Sequence, residues 1–400
     1  MVDAPATSEP SPNKRLALFL DGTWNTVGDN TNVWRLKSLC SSGANDGVPQ
    51  LVYYDAGLGT QFGEKVRGGM FGYGMSKNLK DAYEWLIDKY NEGDDIFIFG
   101  FSRGAFTARS LAGFIALCGL LKPGAPLSIN QLYARYRREQ EPRTVWKLRS
   151  DRDAGQLGEC TLEDEWVLKY SRAVPIKFVA VWDTVGALGV PAFNIKNFSR
   201  SSFKFMHTGL RVPIQHGFHA VAVDEHRKAF SPTLWTKVTR RDGTSAQPRS
   251  IASVEQRWFA GAHANVGGGC ENDLLAQIPL RWIMSKASLH GLALRSDVTL
   301  DGDVHRSPIS DSYSEFARGF YRILKLGRRY YRPIGEAPKE MPEFIDSTVN
   351  ETIDASVFDR WRVVPQYRPP NLANWASRYR VDIANLHQSV RADDPSVIVD

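Results

Sequence analysis

The chain has 400 residues and a formal net charge of +6, with 42% hydrophobic and 24% charged residues. This composition is typical of a folded globular protein and excludes an intrinsically disordered chain. No apolar run approaches the roughly 20 residues that a membrane-spanning helix requires, and the cysteines form no CxxC pair that would indicate a metal site. We therefore expect a protein that uses no metal or other cofactor.

The first 14 residues are polar and rich in proline and serine. They lack the hydrophobic segment behind a basic start that marks a signal peptide. We expect a flexible leader over residues 1–14, and either a cytoplasmic location or export by a route that reads no such signal.

Three apolar runs in the first hundred residues predict buried strands, namely RLALFL (15–20), QLVYYDAGLGT (50–60) and DIFIFG (95–100). Between the last two, a glycine-rich loop over 62–74 is expected to lead into an amphipathic helix. This helix is predicted to begin at Ser76, which is a suitable N-cap. The apolar residues that follow it at helical spacing are Leu79, Ala82, Tyr83, Leu86, Ile87 and Tyr90.

A long apolar helix is predicted over 103–121, directly after the third strand. Two further apolar runs, KFVAVWD (177–183) and RWFAGAH (257–263), predict two more strands. Near-continuously apolar strands that alternate with helices indicate a mostly parallel α/β sheet, buried by helices on both faces. The predicted fold class is therefore α/β, with residues 15–290 as its core.

Insertions and a tail complete the predicted organisation. Residues 123–175 open with proline and glycine and then place apolar residues at helical spacing, so a helical insertion is expected there. Residues 190–215 are rich in aromatic residues without a clear period, which suits a lid, a rim that faces lipid, or a packed loop. Residues 291–400 are expected to form an extension packed on the core, in which two prolines exclude regular structure over YRPPNLANW (367–375).

The stretch GFSRG (100–104) fits the pattern G-x-S-x-G between a predicted strand and a predicted helix. In that setting Ser102 lies on a sharp corner, and Gly100 and Gly104 must be small so that the two elements can pass each other. The hydroxyl then lies at a helix N-terminus, which favours developing negative charge. We interpret Ser102 as a nucleophile, and the alternative is a plain glycine-rich loop.

A serine nucleophile needs a base, and the base needs an orienting acid. Asp183 ends an apolar strand and begins a loop with glycines, and His263 follows a later strand and enters a glycine run. Serine, then aspartate, then histidine, each at a strand end, is the order found in α/β-hydrolases. The alternatives are a turn or cap role for Asp183 and a structural role for His263.

An oxyanion formed at Ser102 is expected to be bound by backbone N–H groups. The N–H of Arg103, directly after the serine, is the first candidate. Gly22 and Thr23, in the turn DGTW after the first strand, are the candidates for the second donor. The alternative is that DGTW is only a tight turn.

Several blocks of the sequence carry a resemblance to one known family: LALFLDGTWN, GFSRGAFTARSLAGFI, VWDTVGALGVP, DEHRKAFSPTLW, QRWFAGAHANVGGG, LLAQIPLRW and YRPPNL. Over about residues 15–375 the chain resembles the α/β-hydrolase family that includes the catalytic domain of type VI secretion phospholipase effectors of the Tle class. The resemblance implies a catalytic triad on Ser102, Asp183 and His263, and phospholipase A-like cleavage of acyl esters in membrane phospholipids. Family members often read H-S-D where this chain has HAN.

Basic residues are concentrated in three stretches that also contain aromatic residues, 134–149, 197–205 and 317–332. They are either solvated surface or a surface for anionic lipid. We expect a serine hydrolase of acyl esters, with phospholipid favoured and with peripheral membrane contact through these stretches. The alternatives are an esterase or thioesterase of soluble substrates, and a non-catalytic binding module with the same fold. No nucleic-acid partner is expected.

Overall fold

The computed structural model describes residues 13–22, 30–41, 47–57, 69–138, 142–185, 213–241, 248–270, 274–300, 302–311 and 329–399. Most of the predicted leader (1–14) and of the predicted insertion over 190–215 therefore lies outside the described residues. The strands are β1 (Arg15–Leu20), β2 (Gln50–Asp55), β3 (Asp95–Phe101), β4 (Leu120–Leu121), β5 (Ser171–Arg172), β6 (Ile176–Trp182), β7 (Ile214–Ala222), β8 (Thr236–Arg240), β9 (Val254–Phe259), β10 (Lys339–Glu340), β11 (Phe344–Thr348), β12 (Glu351–Ile353) and β13 (Val390–Arg391). The α-helices are α1 (Asn32–Leu39), α2 (Gly69–Lys89), α3 (Arg103–Cys118), α4 (Ile129–Tyr136), α5 (Val145–Asp153), α6 (Leu162–Tyr170), α7 (His263–Gly267), α8 (Gln277–Leu289), α9 (Ala355–Val363) and α10 (Pro370–Tyr379).

The central sheet has eight strands in the order β13-β12-β9-β7-β6-β3-β1-β2. Every neighbouring pair is parallel except β12 and β13. The predicted mostly parallel, α/β-hydrolase-like sheet is therefore confirmed. The sequence analysis did not predict β7, which lies between β6 and β9 and whose apolar run is interrupted by the polar His216 and His219.

Helices cover both faces of this sheet. Successive residues of a strand point to opposite sides, so each strand contributes side chains to the packing on both faces. In β1, Leu16, Leu18 and Leu20 belong to the hydrophobic cluster that also contains residues of α2 and α3. The alternate residues, Ala17 and Phe19, belong to the cluster that contains residues of α1 and α8. All five are almost fully buried, as expected for a parallel strand covered on both sides.

Two predicted helix boundaries are wrong. The helix α2 begins at Gly69, so the loop expected over 62–74 does not extend past residue 68 and Ser76 lies inside the helix rather than at its cap. A glycine costs about 1 kcal/mol in a helix, but extending a formed helix adds a hydrogen bond per residue. The helix α3, which was expected to extend to residue 121, ends at Cys118. Gly119 has a φ of 73°, and the chain then forms β4.

The prediction that prolines exclude regular structure over 367–375 is also wrong. The helix α10 begins there, with Pro369 as its N-cap and Pro370 as its first residue. Proline is tolerated at the first helical position, because the N–H that it lacks would have no acceptor inside the helix.

The chain after residue 290 contributes to the central sheet itself. Its strands β12 and β13 extend the sheet beyond β9. Its helices α9 and α10 supply Phe358 and Trp375 to a hydrophobic cluster that includes Trp258 of β9. The division into a core over 15–290 and an extension over 291–400 stays a prediction.

The corner between β3 and α3 is tightly packed. Ser102 has a φ of 57° there, which non-glycine residues rarely adopt. A Cβ on Gly100 would lie 2.5 Å from the carbonyl oxygen of Gly104, and a Cβ on Gly104 would lie 2.0 Å from that of Leu20. Both glycines are therefore required by the close approach of the backbone of β3, α3 and the end of β1.

We predict that Gly104→Ala destabilises the protein by about 3 kcal/mol, because backbone atoms of β1 would have to move to admit the methyl group. The measurement is the urea midpoint of unfolding. Gly113→Ala, in the same helix, is the control and should stay within about 1 kcal/mol of the wild type, because its Cβ would first meet the flexible Tyr136 hydroxyl at 3.2 Å. Equal midpoints for Gly104→Ala and the wild type would contradict this packing.

Candidate active site

Ser102 lies between the end of β3 and the start of α3. Its N–H donates to the carbonyl of Trp182 at 3.1 Å, and its own carbonyl accepts from Phe106 at 3.2 Å. Its side chain makes no capping hydrogen bond to α3, and the residue is partly exposed. The hydroxyl is therefore directed at a group outside the helix, as a strained corner of this kind allows.

His263 is the first residue of α7, shortly after the end of β9. Its Nε2 lies 2.8 Å from the Oγ of Ser102. The imidazole packs against the ring of Phe101 at 4.8 Å between centroids, and it lies nearly perpendicular to the ring of Phe230 at 5.2 Å. These two aromatic rings restrict the imidazole to the orientation that reaches the serine.

Asp183 follows β6 directly and is fully buried, with a φ of 39°. Its Oδ2 lies 2.5 Å from Nδ1 of His263. Its Oδ1 accepts the N–H of Ala222, at the end of β7, at 3.0 Å. The structure thus brings together the three residues that the sequence analysis selected from the ends of separate strands.

Arg332 is a fourth member of this cluster that the sequence analysis did not find. It donates to both oxygens of Asp183, from Nη1 to Oδ1 at 2.6 Å and from Nη2 to Oδ2 at 3.0 Å. Both side chains have no exposed surface. The sequence analysis places the basic stretch 317–332 at the surface, and for Arg332 that prediction is wrong. A buried carboxylate signals that a cation is needed, but the sequence does not say which of 50 lysines and arginines supplies it.

These partners determine the charge of Asp183. Burial alone would raise the pKa of its carboxyl group, but the Arg332 guanidinium and the hydrogen bond from His263 hold that pKa well below its usual range. Asp183 is therefore ionised and can only accept hydrogen bonds. It follows that Nδ1 of His263 carries a hydrogen, which leaves Nε2 of a neutral imidazole free to accept one from Ser102.

A second buried carboxylate, Glu225, lies next to the base. It binds Arg227 through both oxygens at 2.7 and 2.8 Å, and it lies 3.4 Å from the backbone N of His263. Burial alone would raise the pKa of Glu225, but the Arg227 guanidinium lowers it to about 2. The same guanidinium lies 3.5 Å from the ring centroid of Phe230, which contacts the imidazole. The Glu225–Arg227 pair thus helps to hold the groups that contact His263.

Asp224, which the sequence analysis did not select as the acid, has a structural role. It accepts the N–H of Gly261 at 2.7 Å and the hydroxyl of Tyr367 at 3.0 Å. These bonds connect the loop before His263 to the C-terminal part of the chain.

The structure describes two of the three predicted oxyanion donors, Arg103 and Gly22. Arg103 is the first residue of α3, a position whose N–H no carbonyl of the helix can accept. The N–H of Gly22 donates to the carboxylate of Asp21 at 2.8 Å, so it would have to turn from that carboxylate to bind an oxyanion. Thr23 lies outside the described residues. The oxyanion assignment stays a prediction for all three.

Metal clusters and membrane-spanning helices are both absent from the part of the chain that the structure describes. It contains no group of three or more histidine, cysteine, aspartate or glutamate side chains arranged to hold a metal ion. None of its helices combines the length and the apolar character needed to span a bilayer.

Comparison with known proteins gives a family and several distant relatives. Residues 14–286 match the family described as "T6SS, Phospholipase effector Tle1-like, catalytic domain". The uncharacterized protein YEL023C of Saccharomyces cerevisiae is 28% identical in an alignment of 249 residues that covers 58% of this chain and 34% of that protein. A solved structure of an uncharacterized protein from Pseudomonas aeruginosa is 19% identical, over 70% of this chain and 46% of that one, with a TM-score of 0.43. The Tle1 effector bound to the VgrG spike of the type 6 secretion system is 18% identical, over 66% of this chain and 53% of that one, with a TM-score of 0.38.

The family match extends over more than half of the chain and includes Ser102, Asp183 and His263. The chain spans 34% of the length of the yeast relative, and 46% and 53% of the two solved chains. The chain therefore belongs to the family of Tle1-like phospholipase effector catalytic domains of the type VI secretion system.

Proposed function

We propose that this chain is a serine hydrolase of acyl esters, with phospholipids as its favoured substrates. The observation that carries the proposal is the continuous series of hydrogen bonds from Ser102 to Asp183. Nε2 of His263 lies 2.8 Å from the serine Oγ, and Nδ1 lies 2.5 Å from the aspartate. The first distance is within the range in which a base can activate a hydroxyl nucleophile, and the second joins that base to the acid that orients it.

In the first half of the proposed reaction, Oγ of Ser102 attacks the ester carbonyl while Nε2 of His263 takes the hydroxyl proton. Asp183 holds the imidazole through Nδ1 and stabilises the positive charge that forms on it. The tetrahedral intermediate then collapses. The alcohol leaves with the proton from Nε2, and the acyl group stays on the serine as an ester.

In the second half, a water molecule takes the place of the alcohol. Nε2 of His263 accepts a proton from this water as the water oxygen attacks the acyl carbonyl. Collapse of the second tetrahedral intermediate releases the carboxylic acid and returns the proton to Oγ of Ser102. The cycle needs no group that changes oxidation state.

The proposed oxyanion donor is the N–H of Arg103, at the N-terminus of α3. A helix N-terminus carries partial positive charge and stabilises a negative oxygen next to it. Loss of one such donor typically lowers turnover by about 10²- to 10³-fold. The turn at Gly22 is the proposed source of a second donor.

Phospholipid as the substrate rests on the family, whereas the hydrogen bonds from Ser102 to Asp183 support any acyl ester. Membrane contact through the stretch 134–149 has less support, because several of its basic residues bind acidic residues of the same insertion. Arg135 and Arg143 bind Asp164, and Lys147 binds Asp151. The stretch 197–205 and most of 317–332 lie outside the described residues, so contact through them stays a proposal.

We predict that Ser102→Ala lowers ester hydrolysis by about 10⁴-fold or more, because no nucleophile remains. The measurement is release of fatty acid from phospholipid vesicles, alongside hydrolysis of a soluble short-chain p-nitrophenyl ester. Ser128→Ala, which removes a serine cap at the exposed start of α4, is the control and should retain full activity.

Undiminished hydrolysis by Ser102→Ala would exclude Ser102 as the nucleophile. Wild-type activity on the soluble ester alone would exclude phospholipid and favour the esterase alternative.

We also predict that log kcat/KM for a soluble ester increases with pH at a slope of one on the acid side of the profile. This slope should hold down to about pH 4, the ordinary range of aspartate. The Asp183 carboxylate adds no second protonation to this part of the profile, because its pKa is held well below that range. A limiting slope of two above pH 4 would mean that Asp183 also titrates and would contradict its assigned state. Recovery of activity at pH 7 controls for acid unfolding.

A further inference from the structure

Arg332 lies outside the range 14–286 that matches the family, yet it donates a hydrogen bond to each carboxylate oxygen of Asp183. Its Nη1 binds the oxygen of Asp183 that also accepts the N–H of Ala222. Its Nη2 binds the oxygen that accepts Nδ1–H of His263. The arginine and the imidazole therefore share one carboxylate, and the plane of the guanidinium fixes the plane of that carboxylate.

The guanidinium is itself held on both arms. Its Nη1 also donates to the carbonyl of Ala222 at 2.8 Å, and its Nη2 donates to the carbonyl of Phe230 at 2.5 Å. Phe230 is also the residue whose ring packs nearly perpendicular to the imidazole of His263. A shift of Arg332 would therefore disturb the aspartate, the end of β7 and the residues that surround His263.

The backbone of Arg332 is anchored next to the sheet by the C-terminal helix α10. The side-chain amide of Asn371 donates to the carbonyl of Arg332 at 3.1 Å and to the carbonyl of Val223 at 3.0 Å. Two residues earlier in the chain, the N–H of Tyr330 donates to the carbonyl of His226 at 3.0 Å. The C-terminal part of the chain is therefore built to present this arginine at the carboxyl end of β6 and β7.

We propose that Arg332 is a positioning residue for ester hydrolysis, which orients the Asp183 carboxylate toward His263 and balances its charge. The proposal rests on the function proposed above and adds to it a residue from outside the matched family range. Without the guanidinium, the carboxylate can rotate away from Nδ1. It would also attract the imidazolium more strongly, so that His263 returns its proton less readily.

The charged groups around His263 are few among the described residues. Asp183 and Arg332 lie on the Nδ1 side, and Glu225 with its partner Arg227 lies beside the backbone N–H. Each carboxylate is paired with an arginine, so replacing Arg332 by a neutral residue leaves one net negative charge next to the imidazole. A structural arginine elsewhere in the fold would not change that balance.

The test is the pH profile of kcat and kcat/KM for a soluble ester in Arg332→Gln. We expect kcat to fall by about 10²-fold with KM little changed, because the base is misplaced. We also expect the acid limb of kcat/KM to move to higher pH by about one unit, because an unbalanced carboxylate holds the imidazolium. Arg332→Lys should restore the acid limb, but its single ammonium cannot bridge both oxygens, so kcat should stay below that of the wild type.

Arg135→Gln is the matched control, since it removes another buried arginine that binds a carboxylate, Asp164. It should lower the melting temperature and leave the acid limb where it is.

A double-mutant cycle adds a second readout. In the Asp183→Asn background, Arg332→Gln should cause no further loss of kcat if Arg332 acts through Asp183, and multiplicative losses would overturn the proposal.

The outcomes separate this proposal from the function on which it rests. If Ser102→Ala keeps its activity, ester hydrolysis does not use this cluster and both proposals fall. If Ser102→Ala is inactive while Arg332→Gln keeps the wild-type kcat and acid limb, only the role of Arg332 is overturned. If Arg332→Gln does not fold, Arg332→Lys decides: a lowered kcat at unchanged KM supports positioning, and wild-type kinetics overturns it.

Discussion

The candidate site depends on a carboxylate that has no contact with solvent. A charged group in such a place is stable only when it is paired and hydrogen-bonded, and the partners of Asp183 come from three distant parts of the chain. They are Arg332, His263 and the N–H of Ala222. Because these partners hold the pKa of Asp183 low, the carboxylate stays a pure acceptor, and this property determines which nitrogen of His263 faces Ser102.

The parallel sheet explains how such distant residues meet. The strands β3, β6, β7 and β9 are neighbours and run in the same direction, so their carboxyl ends lie at one edge. Ser102, Asp183 and His263 follow three of these strands. The fourth strand, β7, supplies backbone groups of Ala222 to the aspartate and the arginine. The close packing of Gly104 against the end of β1 lets α3 begin directly at this edge.

The parts that could be predicted from the sequence were those with a local pattern. Apolar runs predicted the strands around Ser102, Asp183 and His263, and the position of each residue at a strand end indicated its role. The strand β7 was missed because buried histidines look polar in sequence, although His219 is bound inside the sheet by Thr184 and Gln256. Arg332 could not be predicted, because its partner is 149 residues away and no local pattern distinguishes it from surface arginines. The helix at Pro370 was missed because proline's effect depends on its position in a helix.

Ser102 as the nucleophile is tested most directly by identifying the residue that reacts with a fluorophosphonate probe. The measurement is peptide mapping by mass spectrometry after a timed reaction, in the wild type, Ser102→Ala and His263→Ala. The account predicts one phosphonylated site, Ser102, formed much more slowly in His263→Ala and absent in Ser102→Ala. Modification at another residue that persists in Ser102→Ala, or no modification of the folded wild type, would contradict it.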